Sequence, residues 1–497
     1  METSAISGSS RTQLGSPANK VVNKLARYAG IALLLVCAGC LIAQVLIRPA
    51  VGIANNGDFP KMAGPLGLGP ELGTWESYPH GGEFVYRFVH ADRFRYNDGY
   101  WRADFLSSEF FLVKAARGVQ RIFQPGPRFD IRWLGAVQGA LFLLAIGIWI
   151  YALAPRWRLW TGWLAVLIWT DVAYVQYLNS FYMDAAAMIF LLLCAAAGLH
   201  AIQNRNGWGF PLLTVCAATL FAATKAQHAI PAMVFLPLFL GLAFRSQTRL
   251  ARGIWTGGSL LLLGGAFIVL QRSAEGYRSL GVYDMVFSRI TPEVSDPLRT
   301  LKEFGLGRDE LVYVNSFAYA SNSPFVAHDQ AWVRRFAARC NYGTLLKYYL
   351  RHPSVPIRFL YQDLSGPASR IVPWGNLSPD DGFKTDAQAT HFTLWSNFRS
   401  FLLRRAPWHI VLLILVTLGG AVWLLVRSPS DRPFAGLLLT IQVLAIAEYG
   451  MAVLADSLET ERHLFLFHVA TEIVILSLPL LFLRVRERRG IRALAGV

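Results

Sequence analysis

Asn55-Asn56-Gly57-Asp58-Phe59 is a small polar knot about nine residues beyond the first long apolar run. Asn-Asn-Gly readily visits positive φ, so the turn can hold the Asp58 carboxylate at a membrane edge while Asn55 and Asn56 offer amide donors and acceptors. A carboxylate held this way is a seat for a general base; the same five residues also read as an ordinary loop turn after a helix. Further along, ionisable side chains recur where apolar runs begin or end: Asp171, Asp184 in "NSFYMD", Lys225 and His228 in "TKAQH", Glu448, and Glu459, Glu461, Arg462 and His463 in "ETERH". Charged groups at such places are expensive and mark either function or a buried pair. Singly, each has a bland alternative, Asp184 as a helix amino-terminal anchor and Glu461 with Arg462 as a surface pair. Jointly, acids, amides, one Lys, one Arg and two His at one level suit a charged or phosphorylated ligand.

The elements that must position these groups are membrane helices. The chain has 497 residues, 54% hydrophobic and 16% charged, and a mean hydropathy of +0.38. That is too apolar for a soluble protein and reads as all-α and polytopic. The net charge of +16 sits mostly in short segments between apolar runs, which is a topology signal and not a nucleic-acid face. Four of the five cysteines lie inside apolar runs, so no disulfide framework is expected.

Apolar runs predict about ten spans, near residues 28–46, 133–153, 159–177, 185–202, 210–223, 229–244, 254–270, 409–426, 433–454 and 463–483. Residues 210–244 read either as two spans or as one broken helix. With residues 1–27 as a basic cytoplasmic tail, about seventeen Lys and Arg fall in the inner short segments against two, Lys225 and Arg462, in the outer ones. The carboxyl-terminal tail, 484–497, is then also cytoplasmic. Spans one to seven occupy 28–270, including a first outer loop, 47–131, and spans eight to ten occupy 409–483. The loop contains "DFLSSEFFLVKAARGVQRIFQ", an interfacial amphipathic helix with Phe105, Phe111, Leu112, Ala115, Ala116, Val119 and Phe123 opposite Lys114, Arg117 and Arg121. Residues 271–408 form a helix-rich outer cap, in which Asp380-Asp381-Gly382 reads as a turn or as an acidic metal pair. On this topology the ionisable groups gather at the outer face, level with Asp58.

The long first outer loop with its Asp, the interfacial helix, the many spans and the larger later outer region resemble the GT-C class of integral-membrane glycosyltransferases. More narrowly, "NNGDF", "NSFYMD", "TKAQH" and "ETERH" are similar to bacterial glycan-biosynthesis hexose transferases of the WsfD type. The resemblance implies a GT-C-like bundle in the bacterial inner membrane, with its site facing the periplasm. It implies transfer of a hexose from a polyprenyl-phosphate-linked sugar donor to a glycan or lipid-linked acceptor, among membrane lipids. Asp58 would be the inverting general base. Lys225, Arg462, His228 or His463 would hold the leaving phosphate. Asn55, Asn56 and Gln227 would bond sugar hydroxyls and Tyr182 would stack on the ring, with Asp184 and Glu461 completing the site. No strong ligand spacing is present, so a divalent metal is left open. Two other classes stay in view: a lipid-linked oligosaccharide transporter, which needs polar groups through the full depth of the spans, and a noncatalytic envelope-assembly scaffold.

Overall fold

The computed structural model describes residues 17–55, 57–71, 91–96, 106–204, 207–272, 275–371, 375–384 and 387–495. Among these, eight helices are long and apolar enough to cross a membrane: Lys24–Val45, Arg132–Ala152, Asp184–Gln203, Ala226–Arg245, Arg249–Arg272, Trp408–Arg427, Arg432–Leu454 and Thr460–Arg488. Two further predicted spans are shorter than a crossing normally requires. The predicted third span is a helix only over Pro155–Trp169, then breaks at Thr170 and restarts as Val172–Val175 and a 3-10 turn, Gln176–Asn179. The break has a cause: the Asp171 side chain accepts from the amides of Ala173 and Ser396, while the Thr170 carbonyl accepts from the Gln44 side chain. The predicted fifth span is Gly209–Ala222 and the sixth begins again at Ala226, so the region is two helices with a break at Lys225.

Asp184–Gln203 lies at the centre. It is apolar around its whole circumference and almost entirely buried, as a helix without a polar face must be. Arg132–Ala152 and Gly209–Ala222 pack on it. Gly135 is required here: a Cβ would sit 2.0 Å from Asn179 Oδ1 and 2.4 Å from Val45. That close approach lets Asn179 donate to the carbonyls of Val45 and Val51, which fixes the chain as it leaves the first helix.

The first long connection carries an antiparallel sheet of three short strands, β1 (Leu68–Pro70), β2 (Arg93–Tyr96) and β3 (Arg128–Asp130), in that order, a sheet absent from the all-α expectation. The interfacial helix spans Glu109–Phe123, and its buried side is Glu109, Leu112, Val113, Ala116 and Gln120. Phe111 and Phe123 are exposed. Asp104 and Phe105 lie outside the described residues. Arg117 and Arg121 lie over the Tyr96 ring, where their charge faces an aromatic surface.

The second long connection is helix-rich, as expected. Tyr283, Phe287, Tyr313, Trp332 and Phe336 form its aromatic centre. Ahead of Pro353 stand two helices, Gln330–Arg339 and Tyr342–Arg351, and a capping box of Asn341 and Thr344 starts the second. Asp380-Asp381-Gly382 is a turn, with Gly382 at φ +85°. Asp381 pairs with Arg48, which also pairs with Asp92, tying both long connections to the end of the first helix.

Candidate functional site

The polar knot is built from its flanks. Gly52 exchanges backbone hydrogen bonds with Asn376, Ala54 N–H donates to the Asn376 side chain, and the Tyr182 hydroxyl donates to the Ala54 carbonyl. Asn55 Oδ1 then accepts from the amides of Gly57 and Phe59, a local turn of the kind Asn makes well. Gly57 takes φ +101°, as the sequence predicted for this residue. Downstream, Phe59 is buried against Phe94, Phe181 and Tyr182. Asn55 therefore holds the turn, and the Asp58 carboxylate caps nothing and is left to face other groups.

Those groups arrive from distant parts of the chain. Arg462 Nη1 stands 2.8 Å from Asp58 Oδ2 and 3.8 Å from Asp184 Oδ2, while its Nη2 is 2.5 Å from Glu459 Oε2. Its guanidinium carbon lies 4.9 Å over the Tyr182 ring, so Tyr182 stacks on the cation and its face is occupied. Lys61, one helical turn past Asp58, takes the other Asp58 oxygen. Burial alone would raise the Asp58 carboxyl, but Lys61, Arg462 and Lys225 hold it well below the usual carboxylate range. Glu459 carries Arg462 from a left-handed backbone, φ +55°, a conformation a non-glycine residue adopts only when its surroundings demand it.

Lys225 sits in the break between Gly209–Ala222 and the next helix and is 2% exposed. Its ammonium makes no ion pair or hydrogen bond with the described residues, although it acts on Asp58 at longer range. His228, one turn later, is paired with Glu448 at 2.9 Å. His463 is buried and lies 3.8 Å from Asp456. Gln227 is half-buried and makes no hydrogen bond among the described residues. Asn56 lies outside them.

Two expected members stand apart. Glu461 pairs with Arg370 at 3.7 Å and not with Arg462, which lies on the opposite side of the same short helical turn. Asp171 is a helix cap and an anchor for Ser396. Glu459 is the direct partner of Arg462, and four residues join the site unforeseen: Lys61, Asp456, Asp284 and Tyr319. Tyr319 is 42% exposed as a residue, while local burial of its hydroxyl and the charges of Asp58, Asp284, Asp456 and Glu459 raise that group. Burial, reinforced by Asp456, likewise raises Asp284 well above the ordinary carboxylate range. Lys61 was legible as the only charge one turn from Asp58, and Asp456 as a neighbour of "ETERH"; Asp284 and Tyr319 carry no such signal. Among the described residues no group of three or more His, Cys, Asp or Glu is placed to hold a metal ion.

Glu472 carries a charge near the middle of the last span, Thr460–Arg488, and not at its end. Arg399, from the Leu394–Arg405 helix, reaches in to pair with it at 3.0 Å, and both are almost wholly buried. Tyr174 donates to the same oxygen. At the other end of the last span, Arg484 and Arg488 both bind Asp431.

The stretches 55–59, 181–184, 225–228 and 459–463 thus meet at one end of the bundle. Residues 18–489 match the family described as the YfdI N-terminal transmembrane domain, and the chain belongs to that family. No curated protein sequence matches it. Among solved structures, it is similar to the apo oligosaccharyltransferase of Archaeoglobus fulgidus, with 11% identity and a TM-score of 0.42 over 94% of this chain and 52% of that one. The oligosaccharyltransferase AglB of the same organism, in complex with an inhibitory peptide and a dolichol-phosphate, gives 12% identity and a TM-score of 0.39 over 95% and 52%. The chain spans about half the length of both.

Proposed function

We propose that this member of the YfdI N-terminal transmembrane domain family is a GT-C-type glycosyltransferase. It moves a hexose from a polyprenyl-phosphate donor to the hydroxyl of a glycan or lipid-linked acceptor at the periplasmic face of the inner membrane. The observation that carries this reading is Lys225: a lysine only 2% exposed that makes no ion pair among the described residues, in electrostatic reach of Asp58 and Asp456. Keeping an unpaired charge out of water is costly, and an anionic ligand offsets that cost. The four stretches resembling hexose transferases of the WsfD type supply the groups around it.

The chemistry follows from the charges. Asp58 is ionised before substrate arrives, because three cations hold its carboxyl low. In that state it is a weak base. A donor phosphate seated beside Lys225 and Arg462 draws on the same cations, so Asp58 loses part of its counter-charge and becomes a better proton acceptor as the site fills. The acceptor oxygen then attacks the anomeric carbon, its proton passes to Asp58, the anomeric C–O bond to phosphate breaks, and polyprenyl phosphate leaves with the bonding pair and inverted product behind it. Arg462 is the planar donor suited to phosphate oxygens.

The test is release of polyprenyl phosphate when membranes containing the protein are given polyprenyl-phosphate hexose and an acceptor glycan fraction. Release that requires both the protein and the acceptor is the expected result. Equal release from membranes lacking the protein sinks the reading.

A further inference from the structure

His228 and Glu448 are both buried, on helices that meet within the bundle. Nδ1 of His228 lies 2.9 and 3.1 Å from the two Glu448 oxygens, and Phe221 stacks on the imidazole. The ring is therefore held in place and cannot turn over without losing the carboxylate. Its other nitrogen, Nε2, is buried and has no hydrogen-bond partner among the described residues.

With Nδ1 engaged by the carboxylate, Nε2 is the ring atom left to meet a ligand, and a phosphoryl oxygen is met there by an Nε2–H. Lys225 stands one turn earlier, and His228, Lys225, Arg462 and Asp58 all lie within electrostatic reach of His463.

We infer that His228 donates its Nε2–H to a phosphoryl oxygen of an anionic ligand, and that Glu448 is the positioning residue that keeps this edge of the ring turned to it. The identity of that ligand as a polyprenyl phosphate rests on the transferase reading above. His228 keeps its proton throughout, since the acceptor's proton goes to Asp58.

The experiment titrates full-length protein in lipid nanodiscs with a polyprenyl phosphate, with the polyprenol of equal length, and with inorganic phosphate. The parental protein and Asp58→Asn should both prefer the lipid phosphate to the alcohol. The double variant His228→Leu with Glu448→Leu leaves no unpaired buried charge and should fold. It should lose about 10- to 100-fold in phosphate binding, the usual worth of a hydrogen bond to a charged group, with alcohol binding unchanged. Glu448→Leu alone, which frees the ring, should lose part of that preference; a purely structural role would move phosphate and alcohol together. Competition by inorganic phosphate that weakens in the double variant supports the same contact and shows that the lipid chain is not needed for it. Unchanged phosphate binding in the folded double variant overturns the inference and leaves the donor reading standing. A parental protein with no preference for phosphate over alcohol overturns both.

Discussion

Arg462 Nη1 lies 2.8 Å from the Asp58 carboxylate across 404 residues of sequence, and this contact joins the loop after the first helix to the start of the last span. It makes the two residues one electrostatic unit: whatever binds Arg462 changes Asp58.

Asp58→Asn should abolish most transfer, by about 10²- to 10⁴-fold as is usual for loss of a general base, with the fold retained. The turn depends on the Asn55 side chain and not on Asp58, so the amide is tolerated locally. The product profile of a cell carrying only this variant, beside its thermal unfolding curve, decides the matter. Normal product from a normally folded variant would reduce Asp58 to a partner of Arg462.

Lys225→Met should leave stability unchanged or raised while weakening donor binding at least tenfold. A buried cation without a counter-ion costs the fold energy, and Met fills a similar volume. Melting temperature and polyprenyl-phosphate affinity, measured on the same preparation, should therefore move in opposite directions. A variant that melts early and binds normally would make Lys225 a structural residue.

Arg462→Lys keeps the charge but removes the fork that reaches Asp58 and Glu459 together, and transfer should slow at least tenfold in membranes. Parental rates in this variant would show that a point charge suffices.

Glu472→Ala should destabilise by about 3–5 kcal/mol, because it leaves Arg399 buried and unpaired, whereas Arg399→Met with Glu472→Leu should restore most of the loss. Unfolding of both variants in detergent gives the comparison. If the double variant is as unstable as the single, the pair contributes more than mutual neutralisation.

Both termini should be cytoplasmic, with Asp58 on the opposite side, given the distribution of Lys and Arg. Cysteine labelling from each side tests this, and a carboxyl terminus labelled from outside would contradict it.

Periodicity and composition by themselves determined the long apolar helices, the helix-rich second connection and the positive φ of Gly57, because each follows from local preference and from the cost of exposing or burying a side chain. The same logic marked Asp58, Asp184, Lys225 and Arg462 as out of place among apolar runs. Pairing was a different matter. That Tyr182 lies under Arg462, that Glu461 pairs with Arg370, that His228 is held by Glu448 and that Arg399 reaches Glu472 all depend on which helix faces meet. Residue spacing along one helix does not encode its neighbour's register. The break at Thr170 was likewise decided by tertiary partners, Ser396 and Gln44, which satisfy backbone and side-chain groups that an isolated apolar run would have kept within a continuous helix.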